Sequence, residues 1–548
     1  MSVVAAVLAL VVLAIAIATL ADRLRTPAPS LLVLAGLGVG FMPGVPTPTI
    51  SPLLVTLGVL PPLLFAAAQQ LSLPELRRVW RPVAQLAVGL VLATATAVAL
   101  VAHAVDPALS LASAFVLGAI LASTDPVAVS ALSRRLRLPE RIGTIVQAES
   151  LFNDATSLVL FQVAVLSVTA GGLGALHAVW LFVALAGGGL LVGLAVGVAA
   201  GWLLRRAHEP TAQTALALVT PYVAAVGAEA AHVSTVSAVI VTGLVIAQRR
   251  PGLVEAAGRL MATSVYDVVV FVLESVVFAL IGLELAAFIR GLPDSDRAPG
   301  WQLVALVTLT LLAVRAASLL IGAAMPSLRA RRRDKRWRAR ASGAWAAAAV
   351  VTWAGPRGVV PLAAALSVPL VGHAGAPFPH RQLLLVVTTG VVVITLVVQG
   401  TTLEPLVRRV GLTAEPRGRH DQLRQARYAT ASAALSALPQ AAHEGQPGGV
   451  VERVRQELQQ QLDAMQEAMQ DVHPPPLGDG ETRLAYRRLR RRLLEAEAEE
   501  LARLRAAGEI GGGVYRQLLH EIDLDYARLT GAEAPMRSRR RFRTDRRP

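Results

Sequence analysis

Apolar stretches of bilayer length follow one another through the first three quarters of the chain, and arginine collects in every second gap between them. A spanning helix takes roughly 20 apolar residues. After a first stretch over residues 1–20, spans fall near 31–45, 51–70, 83–104, 110–132, 143–171, 176–204, 212–230, 233–248, 263–289, 301–326, 343–368 and 382–406, thirteen in all. Proline is expected to interrupt two of them, at Pro61–Pro62 and at Pro221. A bilayer leaves free backbone groups unsatisfied, so stretches of this length cross it as helices. The fold class is therefore an all-α polytopic membrane protein. Composition agrees: mean hydropathy is +0.55 and 16% of residues are charged, against about 25% in soluble domains.

The gaps give the topology. Arg23 and Arg25, then Arg77, Arg78 and Arg81, then Arg134, Arg135, Arg137 and Arg141 mark one side. Arg205 and Arg206, then Arg249, Arg250 and Arg259, then the run RARRRDKRWRAR at 329–340 continue it. The intervening gaps hold no more than Arg290, Arg297 and Arg381. Basic loops stay cytoplasmic, which puts the N-terminus outside and the C-terminus in the cytosol of a plasma (inner) membrane protein. The first 20 residues lack a basic flank before the apolar run, so an uncleaved first helix is expected rather than a signal peptide. The net charge of +15 reads as topology anchoring, and nucleic acid is not an expected partner. There is no cysteine, which excludes disulfides and thiolate metal sites. The chain divides into a membrane domain, 1–410, and a charged cytosolic region, 411–548. In the latter, 411–448 reads as a loose linker with some Ala-rich helix, and 450–471 and 480–530 read as helices.

Polar residues inside the spans locate the chemistry. Residues 143–171 carry Glu149, Ser150, Asn153 and Asp154. Buried carboxylates in a spanning helix cost about 2.5–3.5 kcal/mol each on insertion scales and usually mark an ion or proton path. Helical periodicity sets Glu149 with Asn153 on one face and Ser150 with Asp154 on a neighbouring one. A carboxylate one turn from a hydroxyl is half of a small-cation site, because hard cations take oxygen ligands. The plainer alternative is hydrogen-bonded glue between helices. In the fifth span, Asp125 precedes Pro126 in STDPVAVSALSRR. Proline there breaks the helix and frees carbonyls that can face a cation, with a capping Asp at a simple kink as the alternative. In the twelfth, WAGPRGVVPLAAAL sets Gly355, Pro356, Gly358 and Pro361 around Arg357, whose charge needs an acid partner, Glu149 or Asp154. The two interrupted spans lie an odd number apart, which implies an inverted repeat of six plus six helices with one linking helix. Glu229, Glu274, Glu284 and Arg315 are scattered over spans eight to eleven. A Glu274–Arg315 ion pair is the expected structural reading, with a direct part in transport as the alternative that makes both secondary site residues, and Glu284 is expected to reach the interface.

With T-D-P at 124–126, E-S-L-F-N-D at 149–154, F-A-L-I-G-L-E-L at 278–285 and G-P-R-G at 355–358, the chain resembles the sodium/proton exchangers of the monovalent cation:proton antiporter-1 family. The resemblance implies that Asp154 binds either the cation or a proton, with Ser150 and Thr124 completing a Na+ site. It implies that Glu149 and Arg357 form a structural ion pair with Asn153 alongside. Asn153 stands where electrogenic relatives carry a second Asp, which implies electroneutral one-for-one exchange. Ala66 stands where many relatives carry an acid just after the Phe, so K+ is the alternative to Na+, with Li+ also open. A homodimer is implied, and no cofactor.

The expected activity is secondary antiport by alternating access rather than enzymatic catalysis. No G-x-x-x-x-G-K-[ST] element implies nucleotide hydrolysis. An intramembrane aspartic protease would cast Asp125 and Asp154 as a proton-sharing pair. A channel would want rings of weak sites, and a solute:cation symporter would carry substrate-dependent current.

Overall fold

The structure is a computed structural model that describes residues 12–17, 19–21, 23, 27–42, 54–125, 140–253, 256–291, 294–329, 345–372, 375–410, 416–442, 448–467 and 480–531. Among them no strand forms beyond one isolated bridge, Val371 to Pro377. The membrane helices are α1 (Ala28–Gly40), α2 (Leu60–Gln70), α3 (Leu73–Val105), α4 (Leu111–Leu121), α5 (Glu140–Thr169), α6 (Ala175–Arg206), α7 (Pro210–Ala230), α8 (Thr235–Leu253), α9 (Ala256–Gly291) and α10 (Asp294–Arg329). After them come α11 (345–353), α12 (Val359–Leu366) and α13 (Arg381–Val410). Seven of the described helices are long and apolar enough to cross a membrane.

Two compact units emerge: Met1–Gly201 with Leu218–Ala247 and Tyr266–Ala414, and Trp202–Ala217 with Gln248–Val265 and Glu415–Pro548. In the first, small residues let helices touch backbone to backbone, the usual packing where lipid supplies no hydrophobic drive. A Cβ on Gly118 of α4 would lie 2.2 Å from the Ala95 carbonyl oxygen of α3. One on Gly36 of α1 would lie 2.0 Å from the Ala279 oxygen of α9. The Ser157 hydroxyl donates to the Ala119 carbonyl at 2.7 Å and ties α5 to α4. These contacts leave the polar residues of α4 and α5 facing inward.

Local details differ from the sequence expectations. Pro221 lies inside α7, which runs on through it; neighbours and local adjustment re-satisfy the freed carbonyl in such helices. Pro61 and Pro62 lie in the first turn of α2, which continues directly from a π turn at Leu54–Val59, so the helix runs on through them. Arg77, Arg78 and Arg81 sit inside the amphipathic start of α3 rather than in a loop. The basic run at 329–340 falls almost wholly outside the described residues, as does Pro126.

In the second unit, α14 (Pro416–Ala442), α15 (Gly448–Glu467), α16 (Gly480–Ala507) and α17 (Gly512–Gly531) make a helical bundle. The expected linker is a 27-residue helix, because Ala is the best helix former and Ala426, Ala434 and Leu438 are buried in cores shared with α16. The helix expected over 480–530 breaks at Gly508, whose φ of +69° suits glycine after a helix end. Within this unit the Arg259 guanidinium grips the Asp523 carboxylate, with Nε to Oδ2 at 3.2 Å.

Candidate ion-binding site

Two interrupted segments meet at the centre of the first unit. α4 stops at Leu121, and Ser123, Thr124 and Asp125 continue it as buried, non-helical backbone. On the other side, α11 ends at residue 353 and 355–358 are non-helical before α12 begins. The Asp125 N–H donates to the Pro356 carbonyl at 2.8 Å, joining the two breaks directly. Arg357 N–H donates to the Thr395 hydroxyl of α13 at 3.1 Å. Gly358 is where the segments press closest: a Cβ there would lie 1.7 Å from Asp125 Oδ2. Only a glycine leaves room for that carboxylate.

α5 completes the cluster. Ser150 Oγ and Thr124 Oγ1 are 3.2 Å apart, and Asn153 Nδ2 donates to Thr124 Oγ1 at 2.8 Å. The structure thus gathers Thr124, Asp125, Ser150, Asn153 and Asp154 from a break and a helix 25–30 residues away in sequence. Asp154 is 4% exposed, and its Oδ1 has no hydrogen-bond partner. A buried carboxylate oxygen without a donor is costly unless a proton or a cation answers it.

The ion pair of this region differs from the expected one. Glu149 takes a bidentate grip from Arg315 of α10, Nη1 to Oε1 and Nη2 to Oε2, the latter at 3.0 Å. Arg315 Nε also donates to the Val351 carbonyl at 3.1 Å. Glu149 is therefore paired with Arg315 rather than Arg357, and Arg315 with Glu149 rather than Glu274. The reason is geometric: Gly355 has no side chain, and a Cβ there would lie 2.7 Å from Arg315 Nε. That gap lets the guanidinium pass the broken helix and reach α5. Arg357 is itself buried, and its Nε and Nη1 have no hydrogen-bond partner.

A cavity of about 80 Å³ opens beside Asp154. A single water needs roughly 10–15 Å³ on this measure, so the space suits an ion with some of its hydration. Its polar wall is Thr124, Asp125, Asp154 and Glu274; the rest is apolar, with Leu60, Leu64 and Pro361 among it. Glu274, expected to pair with Arg315 and carried as a secondary site residue, lines this cavity, while sequence reasoning did not place Thr395 against the break. Thr395 is one of the few polar side chains in an apolar run, which is the signal that could have found it. Glu284, expected at the interface, is buried with Oε2 unpartnered, and Glu229 is exposed.

Comparisons with known proteins point the same way. The profile of the family described as sodium/hydrogen exchanger, transmembrane, matches residues 8–409. An uncharacterized Na(+)/H(+) exchanger of Mycobacterium bovis is 33% identical over 537 residues, 95% of each chain. A sodium, potassium, lithium and rubidium/H(+) antiporter of Bacillus pumilus is 31% identical over 388 residues, 69% of this chain and 57% of that one. In fold, the chain is similar to the sodium proton antiporter MjNhaP1 from Methanocaldococcus jannaschii. The TM-score is 0.59 at 20% identity, over 74% of this chain and 98% of that one.

Proposed function

We propose that this chain, which belongs to the sodium/hydrogen exchanger family, exchanges one monovalent cation for one proton at Asp154 by alternating access. The observation that carries the reading is Asp154 itself. It is buried, lines the cavity, and holds one oxygen with no donor. A single carboxylate cannot hold a proton and a cation together, so competition between them couples the two fluxes. Thr124 and Ser150 supply hydroxyl oxygens beside it, the hard ligands that Na+ prefers, and Asp125 stands on the same wall. The charges around it favour strict one-for-one exchange. Glu149 and Arg315 cancel each other, and Asn153, next to Asp154, is neutral, which leaves a single cycling charge on α5.

Na+ is the cation proposed. The Bacillus pumilus relative, named for sodium, potassium, lithium and rubidium, makes K+ the second reading. The cation and the proton are the substrates, without cofactor or enzymatic step. The thirteen-span count, the six-plus-six inverted repeat, the outside N-terminus, the plasma membrane and a homodimer belong to the same proposal. The arginine-rich alternate loops and the two broken segments support it. The test is proton flux in vesicles holding a preformed pH gradient, with Na+, Li+ and K+ added in turn. Asp154→Asn should be present at normal abundance and silent. Exchange that persists in that variant, or that responds to membrane potential, overturns the mechanism.

A further inference from the structure

A cation at Asp154 has to reach water, and two helices mark where it does so. α2 lines the cavity with Leu60, Leu63, Leu64 and Ala67, and α5 lines it with Leu151 and Asp154. Residues three and four apart share one helix face. One turn beyond the cavity on those faces, Ala67 is followed by Gln70 and Leu151 is preceded by Gln147. The Gln147 amide donates to the Gln70 carbonyl oxygen, Nε2 to Oε1, at 3.1 Å. The two helices that flank the cavity therefore meet again directly past it, side chain to side chain. A further turn out, the Thr144 hydroxyl donates to the Glu75 carboxylate at 2.9 Å and ties the start of α5 to α3.

Exposure orders these rungs. Asp154 and Leu151 are 4% and 2% exposed, Gln147 is half-buried and Gln70 is exposed. Solvent access thus rises from the carboxylate to the amide pair. Arg77 and Arg78 follow Gln70, and Arg134, Arg135 and Arg137 precede α5, so in the topology proposed above this end is cytosolic. A neutral amide pair suits a closure that parts once in each cycle. Water nearly replaces a hydrogen bond between uncharged groups at a wetted position, and no buried charge is stranded when it opens. The Glu149–Arg315 grip on the same α5 is the contrary case, because either partner alone would be an uncompensated buried charge. Nor does an amide carry a net charge that would hold the cation back on its way.

We propose that Gln70 and Gln147 close the cytosolic mouth of the cavity, and that the cation passes between α2 and α5 when their hydrogen bond parts. This rests on Asp154 being the exchange site. Tying the two side chains together should then stop exchange, and removing one of them should let the mouth open more often.

The chain has no cysteine, so introduced thiols report alone. Gln70→Cys with Gln147→Cys is bridged by a short bis-methanethiosulfonate linker in proteoliposomes, and cation-dependent proton flux is followed through bridging and reduction. Bridging should abolish flux and reductant should restore it, while each single-cysteine variant given the same reagent keeps its flux. Flux that continues through the bridged protein, or an equal loss in the single variants, overturns the proposal. A second measurement needs no transport. Ala67→Cys, one turn deeper, is labelled by a charged, membrane-impermeant thiosulfonate in vesicles of either sidedness. Adding Gln147→Ala should speed labelling from the cytosolic face by about threefold, the order of one exposed neutral hydrogen bond in an opening equilibrium. Labelling from the outer face should not change, whereas a merely structural loosening would move both. An unchanged cytosolic rate overturns the proposal on its own, including where the double-cysteine protein fails to reach the membrane. Exchange that survives in Asp154→Asn instead overturns the site on which the proposal rests, and the labelling rates tell the two failures apart.

Discussion

Glu149 and Arg315 are 1% and 3% exposed, and at that depth their value lies less in attraction than in mutual cover. Two buried charges of opposite sign are tolerable together and costly apart. Removing one partner of such a pair costs about 3–5 kcal/mol, because the other is left buried and uncompensated. Arg315→Met is therefore expected to lower the thermal midpoint in detergent sharply and to reduce abundance in the membrane. The double variant Glu149→Gln with Arg315→Met should recover most of that loss, since both charges go together. Thermal melts of the two single variants and the double form a cycle that checks it; equal destabilisation by the double would mean the pair acts through something other than charge. Asp154 is the opposite case on the same helix. Its unpartnered oxygen implies a group kept for a mobile ligand, so Asp154→Asn should leave stability within about 1 kcal/mol of wild type while abolishing exchange.

At the scale of elements, the site depends on two helices, α4 and α11, that end inside the first unit and whose following links touch through the backbone hydrogen bond from Asp125 N to Pro356 O. Gly358 permits that contact, since a Cβ would sit 1.7 Å from Asp125 Oδ2. Gly358→Ala should therefore push the link after α4 away from α12 and eliminate cation-dependent proton flux, with protein still present in the membrane. The same vesicle assay reads it, and near-normal flux in Gly358→Ala would show that the link has room to retreat. The break after α11 was legible in the sequence, because Gly-Pro-Arg-Gly inside an apolar run disfavours a continuous helix; α4 ends at Leu121, ahead of the Asp-Pro step, whose proline lies outside the described residues. The cluster of Thr124, Ser150, Asn153 and Asp154 was legible too, from helical spacing and motif. Which arginine meets Glu149 was not. Arg315 and Arg357 are both intramembrane cations within reach of an acid, and the choice turns on the empty space at Gly355, a three-dimensional fact with no periodic signature. The position of Glu274 on the cavity wall was out of reach for the same reason: spacing along α9 shows where a carboxylate is, not which cavity another helix builds against it.

At the scale of the whole molecule, the second unit answers to ordinary aqueous electrostatics, because its bundle lies outside the spanning segments. The Ala-rich composition of 411–448 suggested some helix there, but the full length of α14 was not legible, because its small, weakly patterned residues gain their burial from α16. Within α16, burial pushes the Glu497 carboxyl up from its ordinary value of 4.5, with Arg490, 3.2 Å away, pulling the other way and Asp525 adding to the rise. A carboxyl raised on folding binds its proton more tightly in the folded state. Its contribution is fully present below 4.5 and is lost as pH climbs through the raised value. Glu500 runs in the other direction: hydrogen bonds from Arg503 hold its carboxyl down, so what it adds is present above 4.5 and lost only in acid. On the alkaline side of 4.5, Glu497 alone of these two still titrates. Hydrogen exchange on the full chain should therefore show α16 and α17 losing protection as pH rises above 4.5 and through the raised value of Glu497, after correction for intrinsic rates. Glu497→Gln, which stays neutral, should flatten that trend and protect the bundle better at the upper end. A wild-type bundle with pH-independent protection would mean that Arg490 outweighs burial and holds Glu497 ionised throughout.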